Sequence, residues 1–213
     1  EASRAKTTTQ RLAAFSAFRP SMLVSPSLPR NGEPRTGLSM GEHAEQMAQE
    51  WKVSREAQDE LALKSHQNLA RAYNDGFFTD LLTPFNGVSK DNNLRADLTI
   101  EKLRTLKPVF DKKVAPGQGT LTAGNSTPLT DGASAVLLAS EEWAKARNIP
   151  VLAYITFSEV AAIDFFNEKE GLLMAPAYAV PRMLERAGLK LQDFDFYEIH
   201  EAFAAQVLCT LRA

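Results

Sequence analysis

From residue 119 onward, short apolar runs alternate with helical stretches, and this alternation limits the fold more than any other feature of the chain. Residues 119–123 read as a strand. Residues 131–140 (DGASAVLLAS) read as a small-residue helix, and Ser140 caps a further helix through Arg147. A strand is expected over 150–160 and a helix over 176–187, ended by Gly188 with its prolines in the first turns. A last strand, 194–199, runs straight into a helix from Glu201 to about Leu211. Strands alternating with helices call for an α/β sheet.

The first half has a different character. Residues 25–34 (SPSLPRNGEP) favour extended or turn backbone and break any helix, so 1–37 read as a connector, with a short helix over 11–18. Met40, Ala44, Met47, Ala48 and Trp51 follow helical spacing, and Ser39 with Glu42 matches a capping box. Ser54 caps a second helix that runs to Asn74, with Leu61, Leu69 and Tyr73 as core candidates and Asp75-Gly76 as its stop. Residues 79–118 are rich in turns, with a short helix near 98–106. His66 reads as a hydrogen-bonded surface histidine. No internal repeat or low-complexity segment is present. A net charge of −2 argues against a strongly basic nucleic-acid binder, and no apolar run reaches the roughly 18 residues of a membrane span. Cys209 is the only cysteine, so no intrachain disulfide forms, which fits a reducing compartment. The chain opens on Glu1 and stops at CTLRA, and is read as a piece of a longer one.

Two segments are candidates for chemistry. TLTAGNSTPLTDGA (120–133) delivers Asn125, Ser126, Thr127, Thr130 and Asp131 at a strand end, where α/β proteins place ligands. Its alternative reading is a well-capped helix, with Thr130 or Asp131 satisfying first-turn amides. YEIHEAFAAQ (197–206) places His200 and Glu201 where a strand meets a helix, whose amides favour developing negative charge. There His200 orients a water or donates a hydrogen bond; alternatively it fills a turn while Glu201 complements the dipole. His43, His66 and His200 are far apart and make no metal-ligand pair. Cys209 sits in an apolar context and reads as a structural thiol.

TAGNSTPLTDGASAVLL and EIHEAFAAQ together resemble the thiolase family, the enzymes that make or cleave 3-ketoacyl-CoA. GLSMGEHAEQMAQEW near residue 40 and KPVFDKK near residue 110 match in the same order, and the resemblance covers roughly 38–212. Histidine before EAFA and the Thr-Pro-Leu-Thr loop look most like the thiolase subunits of β-oxidation trifunctional complexes and their bacterial relatives.

The resemblance implies a partial αβαβα layered α/β fold: a connector over 1–37, a mostly helical CoA-covering loop region over 38–118, and the truncated start of a second α/β half over 119–213. It implies a two-step acyl transfer in which His200 holds a water or donates a hydrogen bond at the enolate oxygen. Phe110 matches an aromatic that packs on the pantetheine of CoA, and Ala123 and Thr127 match positions along the pantetheine arm. Phe203 matches an aromatic beside the thioester, while Leu172 and Met174 lie near a loop that shapes the acyl pocket. CoA and acyl-CoA are then substrates, with no tightly bound cofactor and no metal. The parent is expected to be a homo-oligomer, with a β-oxidation hydratase/dehydrogenase subunit as a further partner, in a bacterial cytoplasm or a mitochondrion. Nucleic acid and membrane-spanning partners are not expected. The nucleophilic cysteine and the GHP-type and C-x-G-type motifs of the family are absent from these residues, so the stretch alone is expected not to catalyse thiolysis. The alternatives are a non-catalytic CoA or acyl-chain binding module and an interaction subunit.

Overall fold

A computed structural model of the chain describes residues 7–10, 12, 32–167 and 170–213. It divides into two compact units, Glu1–Gly32 and Glu33–Ala213. In the first, residues 8–10 and Leu12 are helical, and Thr7 and Gln10 exchange side-chain-to-backbone hydrogen bonds. The expected helix over 11–18 lies, apart from Leu12, outside the described residues.

The second unit contains α1 (Met40–Glu50), α2 (Arg55–Asn74), α3 (Ile100–Arg104), α4 (Glu141–Ala146), α5 (Pro176–Ala187) and α6 (Ala204–Arg212), with a 3-10 turn at Leu191–Asp193. Helix α1 starts where its capping box predicts. The Ser39 hydroxyl accepts from Glu42 N–H at 3.2 Å, and the Glu42 carboxylate accepts from Ser39 N–H at 2.7 Å. Ser54 caps α2, Thr99 caps α3 and Ser140 caps α4. Helix α2 ends at Asp75, followed by Gly76 at φ 73°, and α5 ends at Gly188 in the left-handed region. Pro176 opens α5 and Pro181 lies in its second turn, within the first turns where the prolines are expected.

The core sits between α1 and α6. Ala44, Met47 and Ala48 of α1 pack with Ala205 and Cys209 of α6, and Val53, Leu121, Met174 and Phe203 close the cluster. Arg212 ties the end of α6 to the end of α1 by donating to Trp51 O at 2.8 Å. Helix α2 packs on α3 and α6. Its expected core residues Leu61, Leu69 and Tyr73 are only half-buried; the residues it buries fully are Gln58 and Asp59.

The expected strands over 119–123, 150–160 and 194–199 are not formed. Among the described residues, β pairing is confined to isolated antiparallel bridges, Phe85–Val88, Pro108–Thr122 and Ser126–Phe203. A strand is stabilised by its ladder partner, and segments 150–160 and 194–199 have none among the described residues. Leu152 and Phe196 are accordingly about nine-tenths exposed. The helix expected over 131–140 is absent for a related reason. Val136, Leu137 and Leu138 are largely exposed, and a short segment containing Gly132 has too little propensity to hold a helix without packing. The last helix starts at Ala204 rather than Glu201, because Phe203 is drawn into extended backbone (φ −141°, ψ 131°) by its bridge to Ser126.

Candidate functional site

Three chain segments meet edge to edge. Pro108 and Val109 pair with Leu121 and Thr122: Val109 N–H donates to Leu121 O at 3.0 Å. On its other side, the turn that follows pairs with the start of α6. Thr127 N–H donates to Ala202 O at 2.8 Å, and Ala204 N–H donates to Asn125 O at 3.0 Å. The second of these bonds satisfies an amide at the helix N-terminus that has no partner within the helix. The polar turn and the histidine-bearing junction are therefore one structural piece, joined through main-chain bonds.

Phe110, Thr127 and Phe203 come together on this piece. The Phe110 and Phe203 rings meet edge to face with centroids 5.9 Å apart. Phe203 is 9% exposed and joins the core, whereas Phe110 is half-buried. Gly41 in the first turn of α1 lies flat against the Phe110 ring, where a Cβ would collide with it. Ala123 and Thr127 are exposed, and the Thr127 hydroxyl donates to Pro128 O at 3.3 Å. The side chains of Leu103 and Leu106 press on Gly124, each 2.5 Å from where a Cβ would stand. Met174 is buried in the core beside Met47, and Leu172 is half-buried.

His200 lies three residues before Phe203 and is exposed. With α6 starting at Ala204, neither His200 nor Glu201 stands at the helix N-terminus, so the expected dipole assistance at His200 is corrected. Glu201 instead accepts from the Ser65 hydroxyl of α2 at 2.6 Å. The capped-helix reading of Thr130 and Asp131 also fails, since no helix follows them. His66 is half-buried and accepts from Arg95 N–H at 3.3 Å; burial, then the nearby Arg95 charge, hold its pKa below the ordinary histidine value.

Behind the turn lies a buried polar network that the sequence reading did not single out. Glu45, 0% exposed, accepts hydrogen bonds from Thr120 N–H, the Thr120 hydroxyl, Leu121 N–H and the Gln49 side chain at 2.8–3.0 Å. Gln58 donates to the Thr120 hydroxyl at 2.9 Å. Asp59, also 0% exposed, pairs with Arg55 at 2.7 Å and accepts from the Asn125 side chain at 2.9 Å. A signal was present: Glu45 lies inside the apolar stripe of α1, and Arg55 and Asp59 stand four residues apart on α2. Cys209 is fully buried against Met47 O at 3.7 Å, and burial pushes its thiol up to about 11. Among the described residues, no cluster of His, Cys, Asp and Glu is placed to hold a metal ion.

Comparison with known proteins gives one consistent result. The family model for the thiolase N-terminal domain matches residues 23–142, and that for the thiolase C-terminal domain matches residues 149–213. The 3-ketoacyl-CoA thiolases of Yersinia pestis (strain Pestoides F) and Yersinia pseudotuberculosis (strain YPIII) are each 43% identical over 218 residues, covering all of this chain and 48% of each relative. The chain thus spans about half the length of the curated relatives it matches. Human mitochondrial 3-ketoacyl-CoA thiolase, solved in complex with CoA, superposes with a TM-score of 0.77 at 36% identity, over 85% of this chain and 44% of that one. The Bacillus anthracis acetyl-CoA acetyltransferase gives a TM-score of 0.74 at 37% identity, over 85% and 46%. The path of the chain is therefore part of a thiolase-like α/β fold, even where strand pairing is limited to isolated bridges. On these matches, and on the four motifs in their order, the chain belongs to the thiolase family.

Proposed function

We propose that the parent protein is an acyl-CoA C-acyltransferase, a 3-ketoacyl-CoA thiolase of fatty-acid β-oxidation. It would cleave 3-ketoacyl-CoA with CoA to acetyl-CoA and a shortened acyl-CoA. In this reading the present chain supplies part of the CoA-facing surface and one oxyanion-side residue. The observation that carries it is the main-chain joining of the Asn125–Thr127 turn to Ala202 and Ala204, which gathers Phe110, Thr127 and Phe203. Phe110 packs on the pantetheine, Ala123 and Thr127 line its arm, Phe203 faces the thioester, and Leu172 and Met174 border the acyl end. His200, exposed at the junction, holds a water or donates a hydrogen bond to the enolate oxygen that develops as the carbon–carbon bond breaks.

The step that forms the acyl-enzyme needs a thiolate. The one cysteine here, Cys209, is buried and held as a thiol, so these residues alone do not carry that step. The same observation favours a second reading, a CoA or acyl-chain binding module without catalysis. CoA thioesters are the ligands in both readings. A homo-oligomer, a hydratase/dehydrogenase partner and a bacterial cytoplasmic or mitochondrial setting belong to the first.

Calorimetric titration of CoA into the wild type and Thr127→Trp tests the shared part. We expect the indole to fill the pantetheine position and weaken binding about tenfold or more. Equal affinity of the two proteins removes the CoA assignment. A thiolysis assay on this chain is expected to show no turnover, and turnover would overturn the argument from Cys209.

A further inference from the structure

We propose that Asp59 is a positioning residue of this site, acting through Asn125 to set how the polar turn joins the junction before α6. The consequence for CoA rests on the function proposed above; the mechanical claim does not.

Asn125 is 3% exposed, and its side-chain amide is used at both ends. Its Oδ1 accepts from Thr122 N–H at 2.8 Å, and its Nδ2 donates to Asp59 Oδ1 at 2.9 Å and to Thr120 O at 3.2 Å. An amide group is nearly symmetric in shape, so its direction is chosen by its partners. An ionised carboxylate only accepts, so Asp59 and the Thr120 carbonyl together require Nδ2 on their side, with Asp59 the charged and closer acceptor, which leaves Oδ1 for Thr122 N–H. Asp59 is itself fixed: its Oδ2 receives Arg55 Nε at 2.7 Å, and Arg55 Nη2 donates to Leu103 O at 2.6 Å and Leu106 O at 3.1 Å. The same Asn125 offers its main-chain oxygen to Ala204 N–H, and two residues on, Thr127 N–H reaches Ala202 O. The orientation of one side chain therefore aligns both bonds that join the turn to the junction. Asp59 lies on α2, among neither the family-matched site residues nor the groups facing the open side; it reaches the turn through Asn125 and on its other side holds Arg55.

The test is the near-isosteric Asp59→Asn in the whole chain, read by amide hydrogen exchange and by CoA titration. An asparagine at 59 replaces the charged acceptor by a neutral amide, so Asn125 Nδ2 is held less tightly and only Thr122 N–H and the Thr120 carbonyl still set its direction. Exchange at Thr127 and Ala204 should rise about tenfold or more, while Val207, bonded to Phe203 O within α6, stays within about twofold. CoA affinity of the folded variant should fall by a similar factor. Adding Asn125→Ala to Asp59→Asn should accelerate exchange no further than Asn125→Ala alone, since Asp59 reaches the turn through that side chain. Unchanged exchange at Thr127 and Ala204 in Asp59→Asn overturns the proposal. So does uniform acceleration across α6, which marks a general loss of stability. If the wild type binds CoA and Asp59→Asn binds it equally well despite faster exchange, the positioning role falls. If the wild type does not bind CoA, the functional reading falls and the exchange data alone decide the mechanical claim. Where Asp59→Asn does not fold, Asn125→Ala decides: faster exchange at Thr127 and Ala204 with Val207 within about twofold supports the proposal, and unchanged exchange at both overturns it.

Discussion

Replacing Glu45 by glutamine sets two large effects against each other. The carboxylate is wholly buried, and no cation stands within ion-pair distance of it among the described residues. It is held by four neutral donors, two of them main-chain amides of the Thr120–Leu121 step. A glutamine that keeps its oxygen toward Leu121 N–H places its NH2 against the Thr120 hydroxyl and the Gln49 amide. Two bonds to a charged acceptor are then lost, each worth about 1.5–3 kcal/mol. Against this, removing a buried charge relieves a desolvation cost of several kcal/mol. Gln49 recovers part of its loss through the bond it already makes to Gln118 O at 3.0 Å. The Thr120 hydroxyl, which already receives Gln58, can accept from the new NH2 with its second lone pair, but its own O–H then loses the acceptor it has in Glu45. The main-chain amides oriented toward the anion tip the balance, and we expect a net destabilisation of about 3 kcal/mol. For a domain of this size that lowers Tm by roughly 6–12 °C. Thermal and urea denaturation followed by far-UV circular dichroism measure it, with Glu42→Gln at the start of the same helix as a comparison expected to cost about 1 kcal/mol through its capping box. A Glu45→Gln variant as stable as the wild type, or more so, would refute the reasoning, since the burial cost of the charge would then outweigh its hydrogen bonds.

Three further expectations follow from single contacts. Gly41→Ala drives a methyl group into the Phe110 ring, so it should cost about 1–3 kcal/mol of stability and weaken CoA binding, read by denaturation and calorimetry. Cys209, with its thiol pushed up to about 11 and no exposed surface, should react with a thiol reagent at least about 100-fold more slowly than free cysteine until the chain is unfolded. Burial holds the His43 pKa below its ordinary value, with Glu33 and Glu42 opposing. The unfolded chain therefore binds the proton first, and the stability from neutral His43 is lost as pH falls below about 6.5 toward the folded value. His43→Gln, which retains an acceptor for Thr36, should flatten that part of the pH profile of Tm.

Helices were the legible part of the fold, because their signals are local. Ser39, Ser54 and Ser140 cap the helices they were expected to cap, and Gly76 and Gly188 follow the ends they were expected to mark. Strands are not local: 150–160 has the composition of a strand, yet without a ladder partner it leaves Leu152 and Ile155 in the open. The family motifs named the segments that meet, TAGNST and HEAFA, but not what holds them together. That is the work of Glu45, Asp59 and Arg55, which lie tens of residues away and read as ordinary charges of amphipathic helices. Their burial is a property of packing, visible only once α1 and α2 are set behind the turn. The start of α6 was missed by three residues for the same reason, since the Ser126–Phe203 bridge outweighs local helix propensity.

The most direct test of the shared thioester site is a CoA titration of the isotope-labelled chain followed by amide resonances. The account predicts that Phe110, Ala123, Thr127, His200 and Phe203 shift together along one saturation curve. Saturable shifts at the turn with silence from 200–203, or shifts gathered on a face remote from both, would contradict it.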